Sequence, residues 1–410
     1  MRTIQFSAKK LLEFLLIFTI FFPFVGLIRI GDIQPNFALL GILILFLSFL
    51  FEQYQQVNRI AVFVFLFFFI LLSLRIFLGE NGFEIRYLFT YLLSITVPFL
   101  IWHFLKKKWL YFSLPLLGFI SITYLIVAII QIGGDQQFLS EILPRAEVAK
   151  AVYIIETGRG VRSLTSEPSV FGKVLTYLNV IYIFLELKVA KDKIPLPRIL
   201  LVSFCYFTSN LFLAQSFYGL VIHGIILIIL LLLLSPSTLI ILLASLGFLV
   251  SYFSFVLPGF RLNLIFQAVQ NLNLEFLMSQ GAFARVMNVP ISIYGGLNAL
   301  PMGFGNTDQI TNGQFVVFGK PYFFFIGKRN LGGFIEFFLR FGLIGLSILI
   351  FYFAGLFKIL RKTFKSKFNK IKIGFFFSFS LFLLTFLDGS TTDPLAWFSF
   401  LFILYHVNED

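Results

Sequence analysis

The sequence predicts an all-α polytopic membrane protein, and three observations carry that reading. The chain of 410 residues is 59% hydrophobic and only 12% charged, with a mean hydropathy of +0.95. Apolar runs of roughly 15–25 residues recur along it, far more than the core of a soluble domain needs. The basic residues fall mainly in short connections between those runs, as the positive-inside rule describes.

Taken in order, about twelve spans follow from the runs, at roughly 11–28, 36–51, 60–78, 86–104, 109–132, 169–187, 199–214, 217–234, 238–257, 331–357, 373–387 and 394–406. The first is long and has no small-x-small cleavage pattern after it, so it reads as an anchor and not a signal peptide. If Arg2, Lys9 and Lys10 are cytoplasmic, the same side receives Lys106-Lys107-Lys108 and then Lys188, Lys191, Lys193 and Arg198. It also receives "KILRKTFKSKFNKIK", residues 358–372, with seven basic residues and no acidic one. That run reads as a clamp on anionic headgroups. Both termini are then cytoplasmic, and the chain is one integral membrane domain, 1–410.

Two long connections face outward, 133–168 and 258–330. Each is longer than a connector requires, and such loops often carry function. Parts of 139–156 and 262–289 alternate apolar and polar residues at helical spacing, which predicts amphipathic helices on the outer membrane surface. No internal repeat of fixed period is present.

Several function classes drop out. The single cysteine, Cys205, excludes an internal disulfide and a cysteine-built metal cluster. His103, His223 and His406 form no HxxH or HExxH pair, so no metal site and no cofactor are expected. The net charge of +13 is accounted for by topology, so no nucleic-acid partner is implied.

Charged groups near mid-membrane cost about 2.5–3.5 kcal/mol on insertion scales, so those that occur usually face a cavity or a partner. In "GVRSLTSEPSVFGKVL", residues 160–175, Arg162 and Glu167 stand at the outer mouth of the sixth span. Pro168 suits the first turn of a helix, so Glu167 reads equally as a helix N-terminal charge worth less than about 1 kcal/mol. Ser169 and Lys173 follow within a turn and a half. Lys173 either pairs with Glu167 or Ser169 or points into the same cavity.

Arg285 stands in the second long loop, followed by "NALPMGFGNTDQ". Gly303 and Gly305 allow a backbone to approach a ligand closely, with Asn306 beside them; a plain turn fits as well. Lys328, Arg329 and Asn330 precede the tenth span, where Glu336 and Arg340 are four apart and can neutralise each other. Asp388 and Asp393 flank the last outer turn and read as its closure. Together Arg162, Arg285, Lys328 and Arg329 make an electropositive outer face, and arginine offers the planar donor fork that phosphate wants.

These residues resemble the Wzy-type O-antigen and capsule repeat-unit polymerases, within the O-antigen polymerase and ligase superfamily. Four pieces in order carry the likeness: "RSLTSEPSVFG", "LAQSFYGLVI", "ARVMNVPISIYGGLNALPMGFG" and "NLGGFIEFFLRFGLIGL", covering roughly 160–350. The resemblance implies a GT-C-like membrane glycosyltransferase that needs no metal. It would join undecaprenyl-pyrophosphate-linked oligosaccharides at the periplasmic face of the bacterial inner membrane, with inversion at the anomeric carbon. The family's loop arginines map onto Arg162 and Arg285. From the residues themselves, Glu167 is the candidate general base or sugar-hydroxyl binder beside them, so Arg162, Glu167 and Arg285 are the catalytic candidates. Ser169, Lys173, Gly303, Gly305, Asn306, Lys328, Arg329, Asn330, Glu336 and Arg340 are the candidate substrate-binding residues. Partners would be membrane lipids, and a chain-length regulator and a flippase of the same pathway.

Two rival readings are an O-antigen ligase, transferring glycan to lipid A core, and a lipid-linked oligosaccharide flippase. The ligase branch carries a histidine before the span matching 331–357, where this chain has "KRNLGG". A transporter would be expected to show repeats and helices broken at the midplane.

Overall fold

The computed structural model describes residues 8–26, 41–48, 70, 85–107, 112–134, 138–139, 160–165, 167–189, 195–232, 247, 267, 270–271, 290, 292–303, 311–317, 320–326, 336–365 and 393–409. Nine helices are described here: α1 (Ala8–Phe21), α2 (Ile85–Lys106), α3 (Leu114–Gly133), α4 (Pro168–Val189), α5 (Leu196–Ser209), α6 (Phe217–Leu232), α7 (Glu336–Phe341), α8 (Leu343–Lys365) and α9 (Pro394–Glu409). A π turn, Asn210–Ala214, extends α5. Three of these elements are long and apolar enough to cross a membrane: α3, α4 and α5 with its π turn. The protein is therefore a helical, membrane-associated one.

Several ends differ from the sequence reading for local reasons. The expected span 109–132 begins only at Leu114, because Pro115 lacks an N–H and fits only the first turn. The expected 11–28 stops at Phe21, just before Pro23. The expected 331–357 is two helices, broken at Gly342, which takes the left-handed φ of +53°. The 258–330 connection, expected to hold helices in parts of 262–289, contains beyond them an antiparallel hairpin of β1 (Thr311–Val317) and β2 (Lys320–Ile326), in register from Thr311 opposite Ile326 to Val317 opposite Lys320. The amphipathic stretches 139–156 and 262–289, and the spans at 60–78, 238–257 and 373–387, lie almost wholly outside the described residues.

α4 is the centre of the fold. It packs against α3, α5, the π turn, α6 and α9, and nearly every side chain from Phe171 to Leu187 is buried. α9 gathers α1, α2, α4 and α8 around a ring stack of Phe21, Phe112, Phe398 and Phe402. α3 shows the inside-out pattern of a lipid-facing helix. Phe119, Ile122, Ile126 and Ile129 are exposed on one stripe, while Leu117, Ile120, Tyr124 and Ala128 are buried on the other.

The pairings fix directions. Phe184 and Trp102 meet the C-terminal half of α9 at Phe402 and Tyr405, so α2, α4 and α9 run the same way. Gln131 in the last turn of α3 bonds Ser163 just before α4, and Arg198 at the start of α5 reaches Glu186 near the end of α4, so α3 and α5 run opposite to α4. One end of the bundle thus carries Lys106, Lys107, Lys188 and Arg198. The other carries Arg162, Glu167 and Asp393. Counting Glu186 at the first end and Lys173 at the second, the first end has an excess of basic side chains and the second is balanced.

Candidate functional site

The second end of the bundle is built on residues 160–167. Gly160 packs its bare Cα against the backbone of Leu213 and Ala214, where a Cβ would collide, and the Val161 N–H donates to the Leu213 carbonyl at 2.8 Å. Thr165 closes the other side: its N–H and hydroxyl reach the Arg162 carbonyl at 3.1 and 2.7 Å. Between these tethers Ser163 takes a left-handed φ of +52°. Three bonds hold it there. The Gln131 amide accepts from the Ser163 N–H at 2.7 Å and donates to its carbonyl at 3.2 Å, and the Ser163 hydroxyl donates to the Tyr124 carbonyl at 2.6 Å. Tyr124 is itself fixed by its hydroxyl donating to the Phe21 carbonyl at 2.6 Å.

Arg162 lies inside this loop, 8% exposed. Burial alone pushes its guanidinium down from the usual arginine value, with no carboxylate holding it up. Its carbonyl is bonded to Thr165, yet the guanidinium has no hydrogen-bond or ion-pair partner among the described residues. A desolvated cation in that condition favours pairing with an anion.

Glu167 stands directly before α4, its carbonyl accepting from the N–H groups of Val170 and Phe171 at 3.0 and 3.1 Å. Pro168 takes the first helical position, as the sequence implies. The Ser169 hydroxyl is 3.4 Å from the Glu167 carboxylate. Lys173, half-buried, comes one turn later and acts electrostatically on Asp393.

Asp393 was legible only as a turn closure. It is 9% exposed, and its carboxylate accepts from the Leu395 N–H at 3.0 Å, capping α9. Burial pushes its carboxyl up to about 6, against the pull of those backbone donors and the Lys173 ammonium. Asp393 also acts on Tyr124, so α3, α4 and α9 meet at this end of the bundle.

The other expected site residues are placed as follows. Gly303, at φ +73°, packs on the backbone of Arg340 and Gly342, so the close approach its bare Cα permits is made by the chain itself. The Leu343 N–H completes that junction by donating to the Pro301 carbonyl at 3.0 Å. Arg340 is buried, 6% exposed, at the α7–α8 break. Glu336 opens α7. Arg285, Gly305, Asn306, Lys328, Arg329 and Asn330 lie outside the described residues.

Sequence reasoning missed Gln131, whose one signal was a lone amide in the last turn of an apolar helix, "IVAIIQIG". It also missed a buried polar knot on α4, the π turn and α6. His223 Nδ1 lies 2.9 Å from the Gly219 carbonyl, 3.1 Å from Thr176 Oγ1 and 3.2 Å from Asn210 Nδ2. Among the described residues no three His, Cys, Asp or Glu side chains are grouped to hold a metal ion. The chain matches no family model, and no curated protein or solved structure is significantly similar to it.

Proposed function

We propose that this protein is a repeat-unit polymerase of the Wzy type, joining undecaprenyl-pyrophosphate-linked oligosaccharides at the outer face of the bacterial inner membrane. One observation carries the reading: Arg162, buried at a bundle mouth, has no anion of its own among the described residues. The order of the four sequence pieces and the opposite-end clustering of cytoplasmic-type basic residues support it further.

In the proposed reaction an acceptor hydroxyl oxygen attacks the anomeric carbon of the donor glycan. The bond from that carbon to the pyrophosphate oxygen breaks, and undecaprenyl pyrophosphate leaves with the electron pair. The acceptor proton passes to the Glu167 carboxylate or to water. Arg162 and Arg285 hold the pyrophosphate as its charge develops, and oriented donors in a water-poor mouth act more strongly there than in bulk. Lys173 adds a third cation at the same end of the bundle. Positioning of two lipid-anchored reactants supplies much of the remaining acceleration.

The test is the surface glycan of a deletion strain. A single repeat unit in place of a ladder is the expected outcome. Full-length polymer left on undecaprenyl pyrophosphate would replace this reading with a ligase. Unchanged glycan would remove the protein from glycan assembly.

A further inference from the structure

We infer that Gln131 is a positioning residue for Arg162, acting through the backbone of Ser163; as a functional statement this rests on the polymerase reading above. Gln131 is 1% exposed and sits in the last turn of α3, the most apolar of the three long helices. A buried amide in such a helix is costly unless its polar atoms are bonded. Both are: Oε1 accepts from the Ser163 N–H, and Nε2 donates to the carbonyls of Ser163 and Phe138 at 3.2 and 3.1 Å.

All three partners are backbone atoms. Gln131 therefore reads a chain conformation and not a side chain. It grips both polar groups of one residue, as a neighbouring strand would. The conformation it grips is the unfavourable one: a non-glycine residue in the left-handed region costs about 1–2 kcal/mol. Strain of that kind persists only when the surroundings over-determine it. Here they do, through the two Gln131 bonds and the Ser163 hydroxyl on the Tyr124 carbonyl.

What the strained turn achieves is visible on either side of it. Residues 162–165 are all buried, although they form a loop. The flanks are pinned by Val161 on Leu213 and by Thr165 on Arg162. With both flanks fixed, a different backbone angle at Ser163 would have to displace the Arg162 peptide, whose carbonyl Thr165 holds, and with it the buried side chain. Gln131 sets that angle. The amide thus spends its bonding capacity on keeping a cation desolvated, the reverse of what stability alone would favour.

The experiment uses the full-length protein in nanodiscs and reads modification of Arg162 by phenylglyoxal with mass spectrometry. Arg162 should react slowly in the wild type and about tenfold faster in Gln131→Leu, a substitution that keeps α3 apolar. Gln131→Glu, which keeps the acceptor and loses the donors, should fall between and serves if the leucine variant fails to accumulate. Ser163→Gly should stay slow, because glycine adopts φ > 0 unaided. Placed in the Gln131→Leu background, Ser163→Gly should restore much of the protection, a rescue that loss of packing would not allow. Unchanged reactivity in both Gln131 variants overturns the inference. So does fast reactivity that Ser163→Gly cannot suppress.

Failure of the functional reading is separate. If Arg162→Ala leaves a full glycan ladder while reactivity behaves as expected, the clasp stands and the polymerase assignment falls. If Arg162→Ala abolishes the ladder while Gln131 variants leave reactivity unchanged, the assignment stands and the clasp falls.

Discussion

Lys173 on α4 lies within electrostatic reach of Asp393, the buried cap of α9, and this relationship ties two helices that are more than two hundred residues apart in sequence. The carboxylate is not stabilised overall: burial outweighs the lysine and the two backbone donors, and its carboxyl rises to about 6.

A pH dependence of stability follows with a definite sign. A carboxyl raised in the folded state binds its proton more tightly there than in the unfolded chain. Its contribution is present at low pH and is lost as pH rises from near 4, the unfolded value, through about 6. The groups facing it are Lys173 on α4 and Tyr124 on α3. Asp393→Asn keeps a good cap and removes the titration. Thermal melting of the detergent-solubilised variant should therefore match wild type near pH 3.5 and exceed it at pH 7.5, by an amount on the order of 3 kcal/mol. Equal melting at both pH values would remove the buried titration.

Arg162 should separate function from stability. Removing an unpartnered buried cation lifts a desolvation cost, so Arg162→Ala should accumulate at wild-type levels or better while the glycan ladder is lost. Arg162→Lys keeps charge without the bidentate fork and should also lose most polymerisation. Arg285→Lys is expected to behave likewise. Lys365→Ala, near the end of α8, is the control and should change little. A full ladder from Arg162→Ala at normal abundance would take Arg162 out of the site.

Gly303 should be a stability position. An added Cβ would meet the Arg340 backbone, and φ +73° is strained for any other residue. Gly303→Ala is expected to cost roughly 1–3 kcal/mol in thermal stability. If melting is unchanged, the packing of this glycine on the α7–α8 break does not exist in the membrane.

What the sequence made legible was whatever depends on local chemistry. Proline at the first turn of α4, the apolar faces, the basic end and the oddity of Arg162 beside Glu167 all follow from neighbours in the chain. Gln131 and Asp393 were not legible as site residues, because their meaning comes from residues 32 and about 220 positions away. A lone glutamine in an apolar helix has no period, and an aspartate before a proline looks like any cap. Gly303 read equally as a ligand cradle or a plain turn for the same reason: bare backbone is visible in sequence, but what occupies the space beside it is not. The hairpin at 311–326 lies beyond the helical spacing of 262–289, in a part of the loop for which the sequence reading made no assignment.

The polar knot behind the mouth gives the last prediction. Asn210, at the start of the π turn, wedges its side chain between two glycines: an added Cβ at Gly219 would meet only Asn210 atoms among its nearest neighbours, whereas one at Gly172 would meet Ser216 as well. Overpacking of this kind costs about 1–3 kcal/mol, so Gly219→Ala and Gly172→Ala should each lower the melting temperature. Asn210→Ala removes the contact to His223 Nδ1 but leaves that nitrogen beside the Gly219 carbonyl and Thr176, so its own cost should be smaller, about 1 kcal/mol. The pairings then differ. Asn210→Ala should recover most of the loss in Gly219→Ala, because the alanine methyl enters the space the amide vacates. It should recover little in Gly172→Ala, where the Ser216 Cβ still stands in the way. Coupling energies from the two double-mutant cycles, read by thermal melting, separate the cases. Equal rescue of both glycine variants, or of neither, would show that Asn210 is not the wedge holding α4 and α6 apart.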